Sequence, residues 1–325
     1  MAPRPAPSRV GLQGREAQVN HSGETIVFSS LQRRVDGGDT MSVTHSEYKV
    51  PSEGDLQRLY RELEGNYFGA QHQEWDEVEH FRRVVSGVKV FVDVGASLGQ
   101  YTHIAGQVMS GGEIFSLEAD PLRFDRLSTL CRQWEEQSGN HFFPRLAAVC
   151  ERDGRTSFFV ANANVSGGLF LQRENEHLAE DYNWQEIEVP CMTLDTLLGD
   201  EVPDLVKIDV EGAEWRVLDG ARRLVAHKRT RFFIEVHPWG DASYGKRPSD
   251  IFGFFLRNGY TFKRLGRRWL FQPGRAGLLE QLVALVIGPV ADVILRHRRL
   301  RTAAKVIAGC FDRLLSNERR ISPNL

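Results

Sequence analysis

Residues 91–102 read FVDVGASLGQYT. The apolar run VKVFVDV, beginning at Val88, ends in Asp93 as a strand buried on both faces should. Gly95, a short loop, Gly99 and a helical stretch through Met109 follow. Gly95 permits a tight backbone turn, and Gly99 lets the helix approach the strand closely. A dinucleotide fold brings G-x-G-x-x-G against a pyrophosphate. Here the pattern is D-x-G-x-x-x-G, and an acid at its head repels a phosphate. It suits a cationic ligand instead.

One strand–helix–strand unit further on, EIFSLE ends in Glu118. An acid at that second strand end can accept both hydroxyls of a ribose. Together, in this order and spacing, Asp93 and Glu118 favour S-adenosylmethionine over a nucleotide phosphate. Singly, neither is specific: many α/β domains turn on Gly-rich loops, and a lone strand-end Glu is usually solvated.

Outward from this unit, strands and helices keep alternating. Pro121 opens the helix PLRFDRLSTLCRQWEEQ at a first-turn position. HFFPRLAAVC, TSFFVA, EIEVPCMT, DLVKIDV and RFFIEVH read as strands, AEWRVLDGARRLV and 248–257 as helices. GYTFKRL and RRWLF, joined by a tight turn at Gly266, close the pattern as an antiparallel edge hairpin. The expected fold is α/β: a Rossmann-like doubly wound sheet, mostly parallel, in the layout of class I methyltransferases.

The expected organisation is a disordered tail over 1–22, a cover over 23–86, the main domain over 87–274, and a helical extension over 275–325. In that extension an apolar stretch, 278–295, precedes Arg296, Arg298, Arg299, Arg301 and Lys305, reading as two amphipathic helices bent at Gly288-Pro289. They pack on the core or on a second subunit of a homo-oligomer; the alternative is peripheral membrane contact through 278–305. The net charge of −2 argues against a nucleic-acid partner. Cys131, Cys150, Cys191 and Cys310 show no zinc spacing and read as reduced packing thiols. With no signal-like N-terminus and no run of about 18 apolar residues, the expected location is cytoplasmic, with the membrane face as its peripheral variant.

The third signal is DLVKIDVEGAEW, residues 204–215. Charges this close to a buried strand end need partners or a ligand. On the plain reading Lys207 pairs with a neighbouring acid and Glu214 helps start a helix. On the functional one Asp209 and Glu211 face the crevice beyond the carboxyl ends of the strands.

DVGASLGQYT, SLEADP, AAVCERDG, the TLD segment at 193–195, KIDVEGAEWRVLDGA and FIEVH follow the order of FkbM-type methyltransferases, and the sequence resembles that family over roughly residues 75–265. It departs where Ala96-Ser97 stands in place of the usual Asn and Ala119 in place of Pro. The resemblance implies the class I fold, S-adenosylmethionine as methyl donor, and O-methylation of sugar hydroxyls in glycans and glycolipids, or of natural products. It also implies Asp93, Gly95 and Gly99 as the cofactor loop, Glu118 as the ribose acid, and Asp209 with Glu211 as crevice acids. Ala96, Tyr101, Thr102, Ala119 and Asp209 complete the expected cofactor set.

Methyl transfer to an alcohol needs alignment and a general base. His237, ending RFFIEVH, is the first candidate because imidazole titrates near neutrality. Glu235 points to the same side by strand alternation and can orient or replace it; equally, His237 can simply cap the strand near Trp239. Asp209, Glu211 and Glu235 offer oxygens to a divalent cation, but the expectation is no metal, since acids alone do not define ligand geometry. Asn164, Ser166 and the rings of Trp75, Tyr101, Trp239 and Tyr244 are candidate acceptor contacts, and His103 reads as structural. The competing readings are a small secondary metabolite as acceptor, or a non-catalytic binding module. Nucleic-acid methylation lacks its Asn-Pro-Pro-aromatic segment, and Asp93 disfavours hydride transfer.

Overall fold

A computed structural model describes residues 75–160, 185–237 and 244–282. The strands are β1 (Val90–Val94), β2 (Glu113–Glu118), β3 (His141–Leu146), β4 (Ala148–Val149), β5 (Gly154–Val160), β6 (Gln185–Met192), β7 (Leu205–Ile208), β8 (Arg231–Glu235), β9 (Tyr260–Leu265) and β10 (Arg268–Pro273). The helices are α1 (Trp75–Val85), α2 (Gln100–Val108), α3 (Pro121–Ser138), α4 (Leu194–Leu198), α5 (Glu214–Asp219), α6 (Arg222–Ala226), α7 (Pro248–Arg257) and α8 (Leu278–Leu282).

The main sheet has the order β3-β2-β1-β7-β8-β10-β9. Its first five strands run parallel, and β10 lies antiparallel to both β8 and β9. The expected hairpin therefore forms, turning at Gly266 with φ +66°. Its second strand is tucked inward, so β9 is the outer edge.

Side-chain alternation splits the interior in two. Phe91, Leu205 and Phe233 pack with Phe81 of α1 and Ile104 of α2 on one face. Val92, Val94, Val206, Ile208, Phe232 and Ile234 pack with Val217 of α5, Leu224 of α6 and Phe255 of α7 on the other. Each large apolar side chain buried there stabilises by roughly 1.5–3 kcal/mol. This two-sided burial explains why β1 and β7 read as continuous apolar runs.

Two expected elements divide. HFFPRLAAVC ends β3 at Leu146 and then starts β4, which joins β5 and β6 in a separate three-stranded sheet. TSFFVA and EIEVPCMT belong to that small sheet, not the main one. AEWRVLDGARRLV breaks into α5 and α6 at Gly220. A Cβ there would lie 2.2 Å from the Cys150 carbonyl oxygen, so the chain passes too close for a continuous side-chain-bearing helix.

Residues 1–74, 161–184, 238–243 and 283–325 lie outside the described residues. With them go the expected tail, most of the cover, Asn164, Ser166, Trp239, Cys310 and most of 278–305. No described helix is long and apolar enough to cross a membrane.

Candidate functional site

The carboxyl ends of β1, β2, β7 and β8 share one edge of the sheet, at the reversal of strand order, the place where open α/β sheets bind ligands. Gly95 (φ +70°) and Gly99 (φ +86°) shape its first wall. The Gly95 and Ala96 N–H groups both donate to the Leu117 carbonyl, at 3.0 and 2.9 Å. A Cβ on Gly95 would meet the Asp209 carbonyl oxygen at 2.0 Å, so no other residue fits. One on Gly99 would strike Leu127 and Trp134 of α3, at 2.7 and 2.9 Å.

Glu118 stands at the end of β2 with its carboxylate held by backbone. Oε2 accepts from Ser97 N–H at 2.7 Å, and Oε1 from Ala119 and Asp120 N–H at 2.9 and 2.8 Å. Burial pushes its carboxyl up, against the opposing pull of Arg123 and the backbone donors. Three N–H groups leave further lone pairs on the two oxygens, and these can accept hydroxyls.

Asp93 does not play the direct role expected of it. It pairs in register with Lys207 across β1 and β7 and points, like Phe91, onto the α2 face. It is wholly buried. Lys207 Nζ lies 3.1 Å from its Oδ1 and donates to the Gly95 carbonyl at 2.9 Å, while Thr102 Oγ1 donates to Oδ2 at 2.8 Å. The acid therefore props the loop from behind and presents no charge to a ligand. Thr102, fully buried and within 2.8 Å of Ser116, and Tyr101, packed edge-on against Phe81 at 4.7 Å, are supports too. Of the expected cofactor set, Gly95, Ala96, Gly99, Glu118 and Ala119 form the wall at the ends of β1 and β2, and Asp209 stands across from them beyond β7.

The β7–β8 end is crowded with charge. Arg268, at the start of β10 and buried, extends Nη2 to Asp209 Oδ2 (2.9 Å) and Glu235 Oε2 (2.8 Å) and Nη1 to Glu77 Oε2. Its guanidinium lies over the Tyr101 ring, 4.7 Å from the centroid. Burial pushes the Asp209 carboxyl up, but Lys207 and Arg268 outweigh it and hold the group down to about 2. Glu211 sits at φ +52°, half out in solvent, and burial pushes its carboxyl up.

His237 is buried, with Nδ1 2.6 Å from Glu214 Oε1 and Nε2 3.4 Å from Glu211 Oε2. Glu235 Oε1 is 3.9 Å from the same Nε2, the shared side that alternation anticipates. Burial pulls the imidazole down, yet Glu214, Glu211 and Asp209 raise it to about 9. The expectation of titration near neutrality is thus corrected: at neutral pH the ring keeps its proton.

Both plain expectations for the third motif hold, since Lys207 pairs with Asp93 and Glu214 opens α5. Glu214 also reaches His237, a contact the sequence reading missed along with Arg268 and Glu77. The signal for Arg268 was its phase: it lies two residues before the buried Leu270 on the same strand face. The Tyr244 ring carries Arg216 over one face at 5.5 Å and its hydroxyl donates to Asp219 at 2.6 Å, so it is committed to α5. His103 packs on Trp134, as a structural residue should.

The sequence profile of the methyltransferase FkbM domain matches residues 93–262, just over half of the chain. No curated protein matches. Among solved structures, the FkbM methyltransferase of Methylobacillus flagellatus KT is 18% identical, with 57% of this chain and 43% of that one covered and a TM-score of 0.39. The chain thus spans less than half of that protein's length. A methyltransferase-like protein of Silicibacter pomeroyi is 14% identical over 64% of this chain and 92% of that one, with a TM-score of 0.35. TrmK of M. capricolum is 10% identical over 64% and 73%, with a TM-score of 0.34.

Proposed function

The chain belongs to the methyltransferase FkbM domain family, and from that premise we propose that it uses S-adenosylmethionine to methylate a hydroxyl oxygen, the acceptor class being a sugar hydroxyl of a glycan or glycolipid. The observation that carries this reading is Glu118, fixed by three backbone donors beside the Gly95–Gly99 turn with lone pairs to spare. A ribose diol is the complement of such a carboxylate. The donor's positive charge fits the far end, where Asp209, Glu211, Glu214 and Glu235 outnumber Arg268 and His237.

When bound, S-adenosylmethionine supplies an electrophilic methyl group on a sulfonium. The protein's work is alignment, which can lower the barrier by several kcal/mol. Glu118 and the Gly95–Ser97 backbone hold the adenosine side. The acceptor hydroxyl lies against the β7–β8 end, and its proton passes to Glu235 Oε1, the oxygen that Arg268 leaves open. His237 keeps its own proton at neutral pH, so it orients the carboxylates instead of serving as base.

The test is transfer of labelled methyl from S-adenosylmethionine to panels of glycans, glycolipids and small alcohols. Label on a sugar oxygen supports the proposal. Label only on a small aromatic or polyketide hydroxyl moves the acceptor class, and label nowhere despite donor binding points to a binding module.

A further inference from the structure

We propose that Arg123 is a positioning residue for the methyl donor: acting through Ser97, it locks the Gly95–Gly99 turn in the shape that presents Glu118. The inference rests on the methyl-transfer reading for what the turn receives, while the lock itself belongs to the ligand-free chain.

Ser97 is the strained point of the turn. Its φ is +52°, between Gly95 and Gly99, which take positive φ at no steric cost. A serine in left-handed backbone is strained and persists only where its surroundings hold it. Two contacts do so. Its N–H donates to Glu118 Oε2 at 2.7 Å, and its Oγ accepts from Arg123 Nη1 at 3.1 Å. The other two donors to Glu118 are its chain neighbours Ala119 and Asp120, so Ser97 is the one that ties the carboxylate to the turn.

Arg123 stands in the first turn of α3, its side chain only 12% exposed. Asp120 Oδ2 lies 3.6 Å from its Nε, too long for a hydrogen bond, so the guanidinium is committed chiefly to Ser97. Without that bond Ser97 relaxes toward ordinary backbone and carries its N–H away from Glu118. The carboxylate then keeps its neighbours' N–H groups but loses its register against the turn. Donor affinity falls with the fraction of time the turn is competent: a turn formed one tenth of the time binds about tenfold more weakly. Arg123 need not touch the donor for this.

The experiment is a mutant cycle on the full chain, with S-adenosylmethionine affinity read by calorimetry and Ser97 amide hydrogen exchange read without ligand. Arg123→Gln and Ser97→Ala should each weaken the donor about 5–20-fold and speed Ser97 exchange by a similar factor. The two losses should not add, because both remove one bond. Ser97→Asn, which tolerates left-handed backbone and offers an acceptor, should recover most of the loss seen in Ser97→Ala. An arginine that merely stabilised α3 would lower thermal stability, leave Ser97 exchange unchanged and give additive losses; either unchanged exchange or additivity overturns the proposal. Donor heat that Arg123→Gln leaves unaltered removes only the lock. Faster Ser97 exchange in Arg123→Gln, from a wild type that gives no donor heat, keeps the lock and removes the methyl-transfer reading.

Discussion

The two ends of the crevice are built differently. At the β1–β2 end every carboxylate has fixed partners: Glu118 has three backbone donors, and Asp93 has Lys207 and Thr102. At the β7–β8 end several carboxylates share one imidazole, one guanidinium and the Lys207 ammonium that Asp93 already holds, and charge is left over. The first end is a shape, held rigid so that a ligand meets preformed geometry. The second is a field, in which each group's protonation depends on its neighbours. Burial alone does not distinguish them, since both hold buried charges, Asp93 and Glu118 at one and Glu214 and Arg268 at the other. What differs is whether the charges balance locally.

Lys207→Met tests the balanced end most severely. Removing one partner of a buried pair leaves an uncompensated charge and should cost about 3–5 kcal/mol. Chemical denaturation reads this, and a cost near zero would mean that Asp93 is not an ionised prop. Asp93→Asn in the Lys207→Met background should recover part of the loss.

Gly95→Ala comes next. It combines φ +70° with a Cβ 2.0 Å from the Asp209 carbonyl oxygen, where the turn after β1 meets the end of β7. Strain of this kind costs of order 1–3 kcal/mol before the clash is counted. Both thermal stability and donor affinity should fall together; an unchanged affinity would uncouple the ends.

Glu118→Gln should act on binding more than on folding. Loss of charged hydrogen bonds worth about 1.5–3 kcal/mol lowers donor affinity roughly 10–150-fold, measured by calorimetry. The smallest effect belongs to Asp120→Ala, which removes the cap that accepts Leu122 N–H at the start of α3. That should cost about 1 kcal/mol in denaturation and leave donor affinity nearly intact.

The same contrast explains what the sequence disclosed. Apart from Lys207, the balanced end lies within one short unit from β1 to the start of α3, so its turn, glycines and first-turn proline are local and visible. The α7 boundaries and the Gly266 turn were legible for the same reason. Asp93 was read as a ligand-facing acid, whereas strand alternation faces it toward α2 and not the crevice. The other end is assembled from Glu77, the 209–214 turn, Glu235, His237 and Arg268. No spacing rule links those positions; only the insertion of β10 between β8 and β9 brings Arg268 to Asp209. Gly220 was read as an interior helix residue because its neighbour, the Cys150 carbonyl, is distant in sequence.

The central claim is that the crevice takes a cationic adenosine donor seated on Glu118. The most direct measurement is a calorimetric titration of the wild-type chain with S-adenosylmethionine, NAD⁺ and ATP in turn. The account predicts saturable binding of S-adenosylmethionine at one site per chain and none for the two phosphate-bearing ligands. Saturable NAD⁺ or ATP binding with no response to S-adenosylmethionine would contradict it.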